Sequence, residues 1–127
     1  MSDASTYPLK SLNTKSIRLS GSFAPNGSSA LVATSTYGRG FTVVRTSQGL
    51  FTITLAEKYV RLRCANLTIQ KASAGIGFVQ LGAVDVSSAK TIQIRIVDEL
   101  GAVQDLAADA NNRVHFDFDL SNDTVAL

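Results

Sequence analysis

The chain has 127 residues and a formal net charge of +2, with 45% hydrophobic and 17% charged side chains, the latter below the roughly 25% of an average soluble protein. One Cys (Cys64), one His (His115) and no Trp exclude an intrachain disulfide, a Cys-based zinc site and a His-cluster metal site. No apolar run approaches the ~18 residues of a membrane helix, and the first residues lack the apolar stretch of a secretory signal.

The length suits one domain. Residues 1–14 are polar, with Tyr7, Pro8, Leu9 and Leu12 as sparse apolar points. They read as an arm, flexible or partner-bound, ahead of a single β domain over 15–127. The first strand is expected at 16–23, with Ile17, Leu19 and Phe23 inward and Arg18 outward. Further strands are expected at 30–37, 41–46 and 51–55, the last alternating strictly through Phe51, Ile53 and Leu55. Pro25-Asn26-Gly27-Ser28, Gly38-Arg39-Gly40 and Ser47-Gln48-Gly49 punctuate these strands as turns.

The next strands fall at 59–64, with Val60 and Leu62 against Arg61 and Arg63, and at 67–71. The apolar parity flips from even to odd between Cys64 and Leu67. An extra residue at Ala65-Asn66, as a β-bulge or a corner between sheets, accounts for the flip. Strands at 76–86, 92–96 (Ile92, Ile94, Ile96) and 114–120 (Val114, Phe116, Phe118, Leu120) complete the set, with a turn at Asp98-Glu99-Leu100-Gly101. Residues 102–110 are the one helix candidate and read equally as strand plus loop. Alternation with turns every 8–12 residues predicts an all-β antiparallel sandwich or barrel.

The chemistry is sparse. Cys64 lies in a basic stretch but continues the inward parity of Val60 and Leu62, so it reads as a buried structural thiol. His115 shares a polar face with Asp117 and Asp119 and reads as a surface cross-strand contact. Asp117, Asp119, Asn122 and Asp123 are acidic and amide oxygens of the kind calcium prefers, but without the spacing of a calcium loop. Gly38-Arg39-Gly40 and Gly75-Ile76-Gly77 are too short to cradle a phosphate. The chain therefore reads as a non-enzyme without a cofactor or metal.

Charge is unevenly spread: residues 1–71 carry nine basic and two acidic side chains, residues 72–127 three and eight. Arg18, Arg39, Arg45, Lys58, Arg61 and Arg63 are a candidate footprint for nucleic acid. The phenylalanines Phe23, Phe41 and Phe51 share the apolar parity, however, leaving only Tyr37 and Tyr59 as stacking platforms. Nucleic acid is therefore a distant alternative. The basic ladder of Arg61 and Arg63 and the acidic ladder of Asp117 and Asp119 suit pairing within a sheet or across a subunit boundary.

The runs Gly40–Thr46 and Gly49–Leu55 form a paired-strand pattern. Thr91–Ile96 follows, then Asp98, Gly101, Asp105-Leu106-Ala107 and a closing strand Val114–Leu120. This pattern resembles small bacteriophage structural modules with the jelly-roll head of C1q and tumour-necrosis-factor type proteins. The resemblance implies a homotrimeric virion protein. Without collagen-like triplets or heptads for a shaft, it points to a capsid decoration (cement) protein on the head exterior, partnered by itself and by the major capsid protein. Tyr7, Pro8, Leu9 and Leu12 would then dock on the shell, and Arg61, Arg63, Asp117 and Asp119 would line the subunit interface. The alternative is the receptor- or glycan-binding head of a tail fibre or spike, its site formed by loops 24–29, 36–40 and 47–49.

Overall fold

A computed structural model describes residues 16–75 and 77–122 of the chain. The strands are β1 (Ser16–Phe23), β2 (Tyr37–Gly38), β3 (Phe41–Ser47), β4 (Leu50–Leu55), β5 (Arg61–Gln70), β6 (Phe78–Asp85), β7 (Thr91–Val97) and β8 (Arg113–Ser121), with a 3₁₀ turn at Ala33–Ser35. They form two antiparallel four-stranded sheets, β2-β1-β8-β5 (sheet A) and β3-β4-β7-β6 (sheet B). The sheets pack face to face as an all-β sandwich. No helix among the described residues is long and apolar enough to cross a membrane.

The core follows from alternation. Phe51, Ile53 and Leu55 of β4 and Ile92, Ile94 and Ile96 of β7 face Phe23 of β1 and Val114, Phe116, Phe118 and Leu120 of β8, all buried. Each such side chain contributes about 1.5–3 kcal/mol by leaving water. Phe23 and Phe51, from opposite sheets, meet with ring centroids 4.9 Å apart. Phe116 contacts Phe41 edge-on at 5.0 Å, the favoured geometry for aromatic quadrupoles. Ile17, on the same inward row, stays 38% exposed, because β2 pairs only with Gly21 and Ser22 and leaves the start of β1 uncovered on that flank.

Three expectations are corrected. Residues 30–37 do not form a strand; the 3₁₀ turn and the two-residue β2 stand in their place. Arg113 holds this segment, donating from both terminal guanidinium nitrogens to the Ser35 carbonyl at 2.7 and 2.8 Å. Residues 59–64 and 67–71 are not two strands but the single strand β5, which stays in sheet A throughout. Its extra residue is Arg63, since the ladder against β8 pairs Leu62 with Leu120 and then Cys64 with Asp119. With the bulge placed there, Ala65, Leu67 and Ile69 turn inward opposite Phe118, Phe116 and Val114. Cys64 falls on the outer side and is exposed, where an inward thiol was expected.

Residues 98–112 run as an irregular connection rather than a helix. The Asp98 carboxylate accepts from the backbone of Leu100 and Ala102 at 2.9 and 3.0 Å, and Gly101 adopts φ +82°. This closes a tight turn that returns Val103 to a bridge with Val97.

Gly21 and Gly38 sit opposite each other across β1 and β2, under the ring of Phe41. A side chain at Gly21 would collide with that ring and stand 2.6 Å from the Tyr37 carbonyl. Gly21→Ala is therefore expected to cost about 2 kcal/mol, as a steric conflict in a packed region. A thermal melt checks this, with an expected fall of roughly 8 °C. For Cys64, a thiol reagent is expected to label one equivalent of folded protein without denaturant. Labelling that waits for unfolding would contradict the placement of the bulge.

Candidate interaction surfaces

The outer face of sheet A is polar. Its register sets Arg18 beside Asp119, Ser20 beside Asp117 and Ser22 beside His115. Arg18 reaches diagonally to Asp117: its Nε donates to both carboxylate oxygens, at 2.9 and 3.0 Å, and Nη2 donates to Oδ2. These hydrogen bonds and the guanidinium charge hold the Asp117 carboxyl below its ordinary range. Ser16 donates its hydroxyl to Asp119. Together with Cys64 and Asn66 these side chains line an open depression of about 420 Å³. His115 lies farther along the face, its Nε2 2.9 Å from Oε1 of Gln70.

A second charge pair closes one end of the sandwich. Arg45 stands on the same side of β3 as Phe41 and Val43, and the connection 98–112 brings Asp105 against it. Arg45 donates to Asp105 from Nε at 3.1 Å and from Nη2 at 2.8 Å, and the Gly49 amide donates to the same carboxylate at 2.9 Å. Both side chains are largely shielded, at 19% and 16% exposure. The bonds from Arg45, assisted by the Gly49 amide, hold the Asp105 carboxyl below its ordinary value against the opposing effect of burial. Gly49, at φ +66°, stands with the Gln104 and Ile96 backbone so close that a Cβ would strike them. The β3–β4 turn and the connection 98–112 are thereby locked together.

The outer face of sheet B is of another kind. The ladder aligns Thr42 with Thr54 and Val44 with Thr52, then Thr52 with Gln93 and Thr54 with Thr91. The middle of the face is thus neutral, built of β-branched and amide side chains. Val44 is 54% exposed on it. Arg95, opposite Leu50 on one side and Gln80 on the other, is the cation of this face. Its Nη2 lies 3.3 Å from where a Cβ of Gly82 would stand, and its buried Nε has no hydrogen-bond partner among the described residues.

The expected site residues distribute as follows. Asp117 and Asp119 share the depression on sheet A, with Asp117 engaged by Arg18 rather than by the basic ladder. Arg61 stands opposite Ser121, and Arg63 is the bulged residue. Tyr7, Pro8, Leu9 and Leu12 lie outside the described residues. Of the two candidate stacking rings, Tyr59 packs half-buried against the core, which corrects its assignment as exposed. Tyr37 is exposed and carries the Arg113 guanidinium 4.0 Å from its ring centroid. Sequence reasoning missed the Arg45–Asp105 pair: the residues are 60 apart, and Asp105 lies in a stretch without period. The Arg18–Asp117 pair was foreshadowed by outward charges on two strands, but only register assigns the partners. Among the described residues no group of three His, Cys, Asp or Glu side chains is placed to hold a metal ion. No family model, no curated protein and no solved structure matches the chain.

The lowered carboxyl of Asp105 couples stability to pH. A group whose folded pKa is depressed stabilises above its unfolded value, about 3.9 for Asp, and that contribution disappears as pH falls through the folded value. Asp105→Asn keeps the shape and removes the charge. It is expected to lower the melting temperature at pH 7 by roughly 5–10 °C and to flatten part of the decline below about pH 4. Melting curves from pH 2 to 7 check this; an unchanged acid limb would rule out Asp105 as its source.

Proposed function

We propose that the protein is a non-enzymatic structural component of a virion, a capsid decoration protein that binds the exterior of a phage head as a homotrimer and stabilises the shell. The neutral middle of the outer face of sheet B carries this reading. A β face of Thr42, Val44, Thr52, Thr54, Thr91 and Gln93 is cheap to desolvate, because it offers few charges whose hydration must be lost. Depletion of charge at the centre is the compositional mark of a protein interface. Rigid β-branched side chains also lose little rotamer freedom when covered.

The resemblance to phage modules supplies the identity of the partner, the major capsid protein. What the structure shares with that resemblance is the coarser architecture, an all-β sandwich of two antiparallel four-stranded sheets. In this reading Tyr7, Pro8, Leu9 and Leu12 add a docking arm. Arg61, Arg63 and Asp119 serve contacts between subunits, with Asp117 committed to Arg18 in its own sheet. Threefold symmetry multiplies modest contacts, since linked sites gain avidity of ~10²–10⁴.

Two measurements test the reading. Mass in solution is expected near three times 13.5 kDa, and the protein is expected to co-sediment with shells that lack it. Val44→Asp, an exposed change, is expected to reduce shell attachment at least tenfold while moving the melting temperature by less than about 3 °C. A clean monomer that ignores shells would overturn the proposal, and binding to host cells instead would favour the fibre-head alternative.

A further inference from the structure

Arg95 projects from the outer face of sheet B, because Ile94 and Ile96 on either side of it are buried in the core. Leu50 of β4 and Gln80 of β6 flank it across the sheet. Gln93 and Val97 lie two positions away along β7, on the same side of the strand. Every neighbour in this ring is neutral. The guanidinium leans towards β6: its Nη2 is 3.3 Å from the place a Cβ of Gly82 would take. Gly82 belongs to the bulge of β6 between Leu81 and Val84, and its bare backbone leaves room for the guanidinium. The Nε of Arg95 is buried without a hydrogen-bond partner among the described residues.

Arg18 and Arg45 are each satisfied by a carboxylate of this chain, whereas Arg95 has no ion pair among the described residues. Asp85 shares the face but pairs with Thr91, four positions from Arg95 and ~13 Å away along the strand. A buried guanidinium donor without an acceptor is unfavourable. The fold therefore leaves the hydrogen bonding of this group incomplete. The next row of the face is apolar. Phe78 stands opposite Val97 on one side and Val103 bridges to Val97 on the other, with Phe78 53% and Val103 42% exposed. An arginine set among neutral and apolar side chains is the pattern of an interface anchor. A guanidinium suits that place because it is weakly hydrated and loses little when covered.

We propose that Arg95 is the anchor of the sheet B face, and that the partner is a protein that seats an Asp or Glu carboxylate on it. Drawn up from the sheet, Nε and Nη2 give the carboxylate the two parallel donors of a bidentate pair, and the buried nitrogen gains its acceptor. Phe78 and Val44 take the apolar contacts around the pair. The charge comes from a protein rather than a nucleic acid, because the middle of the face offers one cation and a phosphate backbone is held by several. This inference rests on the reading of the face as the docking surface, and adds to it the chemistry of the partner.

Two arms test it, one with shells and one without. Arg95→Gln is expected to weaken attachment to shells that lack the protein at least tenfold, with the melting temperature moved by less than about 3 °C. Shells whose carboxylates are amidated with carbodiimide and glycinamide are expected to bind the native chain at least tenfold more weakly, yet to cost Arg95→Gln under about twofold more. If Val44→Asp detaches while Arg95→Gln attaches like the native chain, the carboxylate seat is overturned and the docking face stands. The second arm follows arginine Nε–H signals by NMR as N-acetylaspartate amide is added at constant ionic strength. Arg95 is expected to shift at least threefold more than Arg39, an ordinary exposed arginine, and equal shifts would overturn the proposal. A native chain that ignores shells while its Arg95 signal still shifts would overturn the capsid reading and support the carboxylate seat.

Discussion

Burial of Val114, Phe116, Phe118 and Leu120 along one side of β8 is the constraint on which sheet A depends. Side chains alternate across a strand with a period of two, so this row dictates which residues of β1 and β5 face the core. On β1 the demand is met without interruption, from Leu19 opposite Phe118 to Phe23 opposite Val114. On β5 it cannot be met by an unbroken ladder, because Leu62 and Leu67 have opposite parity. The strand accommodates both by bulging at Arg63, between the Leu62–Leu120 and Cys64–Asp119 positions of the ladder. The outward position of Cys64 is a consequence of that one accommodation.

Sheet B meets a simpler demand, and the difference explains the contrast between the two outer faces. β4 and β7 contribute Phe, Ile and Leu inward and mainly Thr and Gln outward, pairing without irregularity. Sheet A collects acidic and basic partners across neighbouring strands, which neutralise one another within the sheet. The polarity between the chain's halves is therefore spent partly inside the molecule: Arg18 finds Asp117 and Arg45 finds Asp105. The second pair also does mechanical work, because its carboxylate ties the β3–β4 turn to the long connection into β8.

Much of this was legible beforehand where periodicity was strict. The runs 51–55, 92–96 and 114–120 became β4, β7 and β8 with their inward residues as expected. Legibility failed where local pattern and pairing disagree. Residues 30–37 include Val32, Thr34, Thr36 and Tyr37, all suited to a strand, yet only Tyr37 joins a sheet, and Arg113 holds the preceding backbone through the Ser35 carbonyl. Cys64 shares parity with Leu62 in a straight strand, and no local signal marks Arg63 as the residue to be skipped. Asp105 lies in a stretch with no period, so its partnership with Arg45 was invisible.

The amino-acid sequence by itself determined the all-β class, the strongest strands and the composition of the core, because a two-residue apolar period has one stable use in water: a sheet with one side buried. Tertiary structure decided the register, and with it the position of the β5 bulge, the partners of Arg18 and Arg45, the exposure of Cys64 and the neutral face of sheet B. Those depend on which strands become neighbours, and contacts between residues 60 to 100 positions apart leave no trace in local periodicity.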